Sequence, residues 1–403
     1  MMPTTARAAM TPARLRDEFP VFRKLTYLDV AGRAPMADRV RREVDAYLDV
    51  CQAEGAEKDN WLARVEEIRA RTAALISADP GEIAFMKNTS DGLNTIATGL
   101  GLQPGDNVVV CPEFEHANNI YPWQHRQQTG LDVRFVPLRG GVVSPEEMSA
   151  AIDDRTRVVT VSGVSSMTGG RPDIAALAAI CRPKGIFLLV DAAQSLGIVH
   201  TDVRELGVDG LAAATQKGLL SMYGQGVLYC RAEWQDRIRP PFLSVPAVER
   251  GGSHESDLGD IVDYRLHHSA ARFETGNHNY AGLFALDAAL GLLTEVGTEV
   301  VEQHVTALAG HLIEELARRG YHVITPADSN RRAGIVVFDA PGFGSIARRL
   351  EEDHIRISVR RGHLRVSLHA YNNEADLERL LIHLPPTGGC RLTPISEPED
   401  GQS

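Results

Sequence analysis

Short apolar runs alternate with helix-period segments through the first two thirds of the chain. Between about residues 60 and 230, the runs at 83–85, 108–111, 133–137, 158–161, 186–190, 211–214 and 226–229 read as strands. Several are continuously apolar, the pattern of strands covered on both faces. Helical patterns separate many of them. The expectation is an α/β domain around a mostly parallel, seven-stranded sheet. A long amphipathic pattern begins near Tyr280, with Val305, Leu308, Leu312 and Leu316 on one helical face. Beyond it, residues 321–325, 334–340, 354–360 and 363–369 read as strands, and 345–353 and 374–384 as helices. That is a smaller C-terminal α/β domain built on antiparallel hairpins. The expected division is an N-terminal segment 1–20, a large domain 21–280, a small domain 281–386 and a disordered tail 387–403 holding Pro, Gly and acidic residues.

A length of 403 residues suits two domains with a substantial core. The formal net charge is -11 and no long Lys/Arg block stands out, which argues against nucleic acid or an anionic membrane as partner. No apolar run approaches the roughly 20 residues needed to cross a bilayer. Met1 to Met10 lack the apolar stretch of a secretory signal. The five cysteines, Cys51, Cys111, Cys181, Cys230 and Cys390, are scattered, and no pair has metal-ligand spacing. They are expected as buried, reduced thiols of a cytoplasmic protein that binds no metal.

Four segments carry chemistry. In GIFLLVDAAQS (185–195) a buried strand ends in Asp191, followed by Gln194. Ligands of open α/β sheets sit beyond the carboxyl ends of strands. A carboxylate there suits the pyridine nitrogen of pyridoxal 5'-phosphate (PLP), because a protonated ring is the better electron sink. Gln194 is placed to donate to the ring's phenolic oxygen. A capping Asp would give the same pattern. Some 26 residues on, LAAATQKG (211–218) sets Lys217 directly after an apolar strand. Burial would depress its pKa and free an amine for imine formation; a surface lysine is the alternative. In FMKNTSDGL (85–93) a strand runs into Thr89 and Ser90 and then a helix, whose N-terminus attracts phosphate. An ordinary N-cap looks alike. In EFEHANNIYPW (113–123), His116 is placed to stack on a ring and to move protons, unless it is structural.

In this order and spacing the four segments resemble the class V aminotransferase family of fold-type I PLP enzymes. The resemblance runs from YLDVAG (27–32) to Tyr371-Asn372-Asn373. It is closest to the branch holding cysteine desulfurases and isopenicillin N epimerase. C–S lyases like those of lincosamide- and ergothioneine-type natural-product routes belong there too. The resemblance implies a fold-type I transferase fold with Lys217 as the Schiff-base lysine. It pairs Asp191 with the pyridinium, sets Gln194 on the phenolic oxygen and stacks His116 on the ring. Thr89, Ser90, Thr215 and Gln216 would serve the phosphate. Gln216 stands where that branch commonly has His. Ser166, in SSMTGG (165–170), falls near a ring-edge Asn of the desulfurases. Asn277, in FETGNHN (273–279), would reach the cofactor phosphate of the other subunit of a homodimer; a plain Gly/Asn turn is the alternative.

Alternation along 354–360 and 363–369 sets Arg356, Arg360, Arg365 and Ser367 on polar faces. A guanidinium pairs with a carboxylate through two parallel hydrogen bonds, so an amino-acid substrate is expected. Arg365 aligns with the family's carboxylate-binding arginine, and Arg360 is a second candidate. Desulfurases insert a Cys-bearing loop before the Arg strand; here Arg361-Gly362 joins the two strands at once. The favoured reaction is therefore β-elimination on a bulky S-substituted cysteine without a catalytic Cys. Alternatives are decarboxylation-dependent oxidative deamination, transamination, epimerisation, and a binding module that has lost catalysis. The role of Arg33 is open.

Overall fold

The computed structural model describes residues 10–55, 58–249 and 264–385. All seven expected strands of the large sheet are present: β2 (Ile83–Met86), β3 (Asn107–Val110), β4 (Asp132–Phe135), β5 (Thr156–Ser162), β6 (Phe187–Asp191), β7 (Gly210–Ala214) and β8 (Gly226–Cys230). β1 (Thr26–Tyr27) lies elsewhere. The order across the sheet is β2-β8-β7-β6-β5-β3-β4. Only β8 runs against its neighbours. The inner strands are rich in Val, Leu, Ile and Ala and buried along their length, as two covered faces demand.

This topology places the chemistry. The six codirectional strands deliver the turns after Met86, Val110, Ser162, Asp191 and Ala214 to one edge of the sheet. Two close approaches fix the edge. Helix α3 (Thr89–Gly99) lies on β7 because Gly92 has no Cβ; one added there would sit 3.0 Å from that of Ala212. Gly226 abuts the Asn88 backbone, 2.7 Å from where its own Cβ would be. Helices α1 (Asp38–Ala53), α2 (Lys58–Leu75) and α5 (Tyr280–Val296) pack together. Between α2 and α5 the chain forms α3, α4 (Ile174–Cys181) and several helices of four to six residues.

The change of hydrophobic core falls within α6 (Thr298–Arg318): Val301 and Val305 join the large core, Leu308, Leu312 and Leu316 the second one. The second core holds β9 (Ile335–Phe338), α7 (Phe343–Glu352), β12 (His363–Ser367) and α8 (Glu374–His383). Two expectations need correcting. Residues 321–325 form no strand; one bridge joins Val323 to Phe338, and the Thr325 hydroxyl takes over, accepting Val337 N–H at 2.8 Å. Residues 354–360 are two strands. β10 (Ile355–Arg356) pairs in parallel with β1, while β11 (Ser358–Arg360) pairs with β12. Arg361 and Gly362 make the β11–β12 turn with φ of 47° and 82°. Positive φ at both positions is the tight hairpin geometry. The tail 387–403 lies outside the described residues.

Candidate active site

Asp191 ends β6 opposite Ser162 of β5 and is buried. Its Oδ1 accepts Ala193 N–H at 2.9 Å. Burial pushes its pKa up; that N–H, Lys217 and His116 oppose. The chain then returns through Gly197, at φ 84°. A Cβ on Gly197 would lie 2.3 Å from the Gly218 carbonyl oxygen, and one on Gly218 2.3 Å from that of Leu196. Two glycines thus let the Asp191 loop and the Lys217 turn touch backbone to backbone. Lys217 is half-buried. Burial lowers its pKa, Asp191 counters, and Arg365 and Arg360 lower it further. The amine is therefore free at lower pH than an ordinary lysine's.

His116, Asp191, Lys217, Arg360 and Arg365 lie close enough to act on one another's charge. Asn88 caps α3 by accepting Asp91 N–H at 3.0 Å, which leaves Thr89 (buried) and Ser90 (half-buried) on the first turn. His116 is exposed, and its Nδ1 accepts Asn118 N–H at 3.2 Å. In the neutral ring the proton is then on Nε2. Shielding and Lys217, with smaller contributions from Arg360 and Arg365, hold its pKa below the usual value against Asp191. Gln194 Nε2 donates to the Ala31 carbonyl at 3.1 Å, which uses one of its two N–H groups. Thr215 is buried beside Gln216. Its single hydroxyl proton faces the Met222 and Gln225 carbonyls at 2.9 and 3.0 Å, so the side chain braces the loop after Lys217. Gln216 is half-buried, with its carbonyl accepting Ala34 N–H at 2.7 Å.

Arg365 is 2 % exposed. Its Nε donates to Ser358 Oγ at 3.0 Å, and its two terminal nitrogens to Ser166 O at 3.3 Å and Asp29 Oδ1 at 3.4 Å. Burial lowers its pKa to about 10 against Asp29, so it stays cationic at neutral pH. Gly32 makes room for the Asp29 carboxylate, since a Cβ there would be 2.6 Å from Oδ2. Arg360 is exposed, and Nη1 donates to its neighbour's carbonyl. Arg356 points away, pairing with Glu351 at 3.3 Å. Arg33 is exposed and offers its carbonyl to Tyr27 Oη at 2.8 Å. Asn277 is exposed on a segment anchored by buried Glu274, which pairs with Arg69 at 2.6 Å.

Three features were not read from the sequence. Glu115 is buried and takes Ser162 N–H and Oγ, both at 2.6 Å, and Asn119 Nδ2 at 2.7 Å. Burial drives its pKa to about 8 against these bonds, and Asp191 adds to the rise. The ring of His369 reaches the carbonyl of Gly218. The hydroxyls of Thr89, Ser166 and Ser221 are buried without a hydrogen-bond partner among the described residues. Buried hydroxyls are seldom left unpaired, so such groups point to a polar ligand.

A family model described as Aminotransferase class-V matches residues 26–380. The chain belongs to this family. A probable cysteine desulfurase of Methanothermobacter thermautotrophicus is 31% identical over 392 residues, covering 91% of this chain and 95% of the relative. The apo cysteine desulfurase from Thermococcus onnurineus NA1 superposes with a TM-score of 0.84 at 27% identity, over 93% of this chain and 97% of that one. The cysteine desulfurase CsdA from Escherichia coli superposes at 0.82 and 26%, with the same coverage.

As a class V aminotransferase-family enzyme it uses pyridoxal 5'-phosphate. The residues fit that group: the cleft offers an amine, a buried carboxylate, a helix N-terminus, and the unpaired hydroxyls of Thr89 and Ser166. Among the described residues, no thiol hydrogen-bonds to Lys217, Asp191, His116 or Arg365. Cys51 is exposed on α1, a departure from the expected burial, while Cys111, Cys181 and Cys230 are buried. Burial pushes the Cys111 and Cys181 thiols up to about 12, so neither is a thiolate at neutral pH. Cys390 lies outside the described residues.

Proposed function

We propose that this enzyme breaks a C–S bond by β-elimination from a cysteine carrying a bulky S-substituent, with no protein thiol taking part. The reading rests on the β11–β12 hairpin. Its turn is only Arg361 and Gly362, at the place where the resembling desulfurases carry their Cys loop. A short turn also leaves the approach to Arg365 open to a larger substituent.

In this reading Lys217 holds the cofactor and moves the Cα proton, and Asp191 pairs with the pyridine nitrogen. Gln194 uses its second N–H on the phenolic oxygen. Thr89, Ser90 and the α3 N-terminus take the phosphate with Gln216, Thr215 braces the loop after Lys217, and Ser166 meets the ring edge. When bound, PLP draws electrons from the substrate Cα and so acidifies its proton. The chain's own groups do the rest. Arg365 has five N–H groups, of which three are engaged. One remains on each terminal nitrogen, the pair that a carboxylate accepts. Arg360 adds positive charge at the mouth. Lys217, whose pKa burial lowers, would accept the Cα proton, and Nε2–H of His116 would protonate the departing sulfur. The balance is S-substituted cysteine plus water to thiol, pyruvate and ammonia. Asn277 completes the phosphate site of a second subunit in a homodimer.

Incubation with S-alkyl cysteines tests this reading: thiol, pyruvate and ammonia should appear in equal amounts. Release of CO2 in step with turnover would instead place the enzyme on the decarboxylating branch. Replacing all five cysteines by serine should leave kcat/KM unchanged; its loss in a folded, PLP-loaded variant would restore a thiol to the mechanism. Arg365→Ala should cost about 2–4 kcal/mol in kcat/KM, the size of a charge-assisted contact with the carboxylate.

A further inference from the structure

β12 and the residues after it place Arg365, Ser367 and His369 on one face, two residues apart. Arg365 and Ser367 tie that strand to the segment 29–31, and His369 ties it to the turn that carries Lys217. Arg365 faces Asp29 and Ser166. Ser367 Oγ accepts Ala31 N–H at 2.9 Å. His369 Nε2 lies 3.0 Å from the carbonyl oxygen of Gly218, the residue after Lys217. Its Nδ1 accepts Ala370 N–H at 2.7 Å, so the neutral ring carries its proton on Nε2 and donates to Gly218. The ring is fully buried and stacks on Tyr371 with centroids 5.0 Å apart at 17°. Asn372 Oδ1 accepts His369 N–H at 3.0 Å and completes the mount.

The Lys217 turn needs such a hold. It closes on two short bonds of its own, Leu220 N–H to Lys217 O and Ser221 N–H to Thr215 O, both at 2.9 Å, and neither holds the Gly218 carbonyl. Gly218, the most permissive residue type, follows the lysine directly, and Leu220 sits at φ 58°. The Leu196–Gly197 backbone presses on Gly218 from one side, and His369 binds its carbonyl.

We propose that His369 is a positioning residue for Lys217, linking the strand that carries Arg365 to the turn that carries the lysine. The substrate-carboxylate site and the reactive amine are then held at fixed spacing by one strand. Burial lowers the ring's pKa to about 4, which leaves Nδ1 free at neutral pH to accept Ala370 N–H and so fixes the proton on Nε2.

This inference rests on Lys217 being the cofactor lysine, so its test begins there. Borohydride reduction of the holoenzyme and peptide mapping should place the cofactor label on Lys217. A label elsewhere would remove the reading of Lys217 and this inference with it. With the label in place, His369→Leu should lower kcat about 10- to 100-fold, the effect of a small misplacement of a reacting group. KM should change less than about threefold. The pH at which the absorbance of the Lys217-bound cofactor titrates should also move, which loss of packing alone would not cause. His369→Gln, whose amide can donate to the same carbonyl, should restore both. Should the leucine variant fail to fold, His369→Asn, whose amide stops short of Gly218, takes its place. Wild-type kcat and titration in the donor-less variant would overturn the proposal. So would equal losses in the leucine and glutamine variants, which would trace the effect to ring volume.

Discussion

Lys217→Ala will give a folded protein with no borohydride-stable cofactor and a turnover at least about 10²–10⁴-fold lower, the loss expected from removing the proton-transfer group alone. The amine sits in a turn held by Gly197 and Leu196, by its own Leu220 and Ser221 bonds, by Ala34 N–H on the Gln216 carbonyl, and by His369. None of these contacts uses the lysine side chain, so the turn should keep its shape. The ammonium form is disfavoured in the wild type by burial and by Arg365 and Arg360. Its removal therefore takes away a partly desolvated cation, and thermal unfolding of the apo form should move little. Peptide mapping after reduction checks the attachment. A cofactor label surviving in the alanine variant would assign the reaction to another lysine, with Lys184 the first to examine.

Asp191→Asn comes next in size. Asn keeps the shape and can still accept Ala193 N–H, but it cannot stay negative. The charge is what a protonated pyridine would need, and the site is buried, where one charge counts for more than in water. Removing an electrostatic group of this kind costs about 10²–10³-fold in kcat. KM should change much less, because in the proposed function the substrate carboxylate is held by Arg365 and not by Asp191. A second signature follows from the sign of the coupling. Asp191 raises the pKa of Lys217, so its neutralisation should lower the pH at which Lys217 gains its proton. The pH dependence of cofactor attachment to apo enzyme measures that shift. A near wild-type kcat in the Asn variant would reduce Asp191 to a cap of the following turn.

Much of this was legible because the large sheet is covered on both faces. Its strands must then be continuous apolar runs, and the polar residues that break them fall at the carboxyl ends. Thr89, His116, Asp191 and Lys217 therefore stood out, and the parallel topology brings all four to one edge. The hairpin was readable for a similar reason: alternation fixed the face of Arg365, and a two-residue Arg-Gly connection left no room for a loop.

What the chain alone did not reveal depends on partners far away in sequence. Residues 354–360 look like one strand, yet β10 joins β1, more than 300 residues earlier, and β11 joins β12. Residues 321–325 have strand-like composition, but their pairing stops at the single Val323–Phe338 bridge, where the Thr325 hydroxyl bonds Thr168 O and Val337 N–H. Thr215 is a good phosphate candidate by position, and its proton is taken by carbonyls seven and ten residues on. Glu115 and His369 gave no signal, because a buried acid or imidazole is recognised by what surrounds it. Ser162 beside Asp191 and the carbonyl beside Lys217 became their partners only when the strands were assembled. Local pattern determined which residues stand at strand ends, since burial acts on each strand separately; tertiary packing decided which hydrogen bonds those residues make, since each donor and acceptor is satisfied by whatever the fold brings within 3 Å.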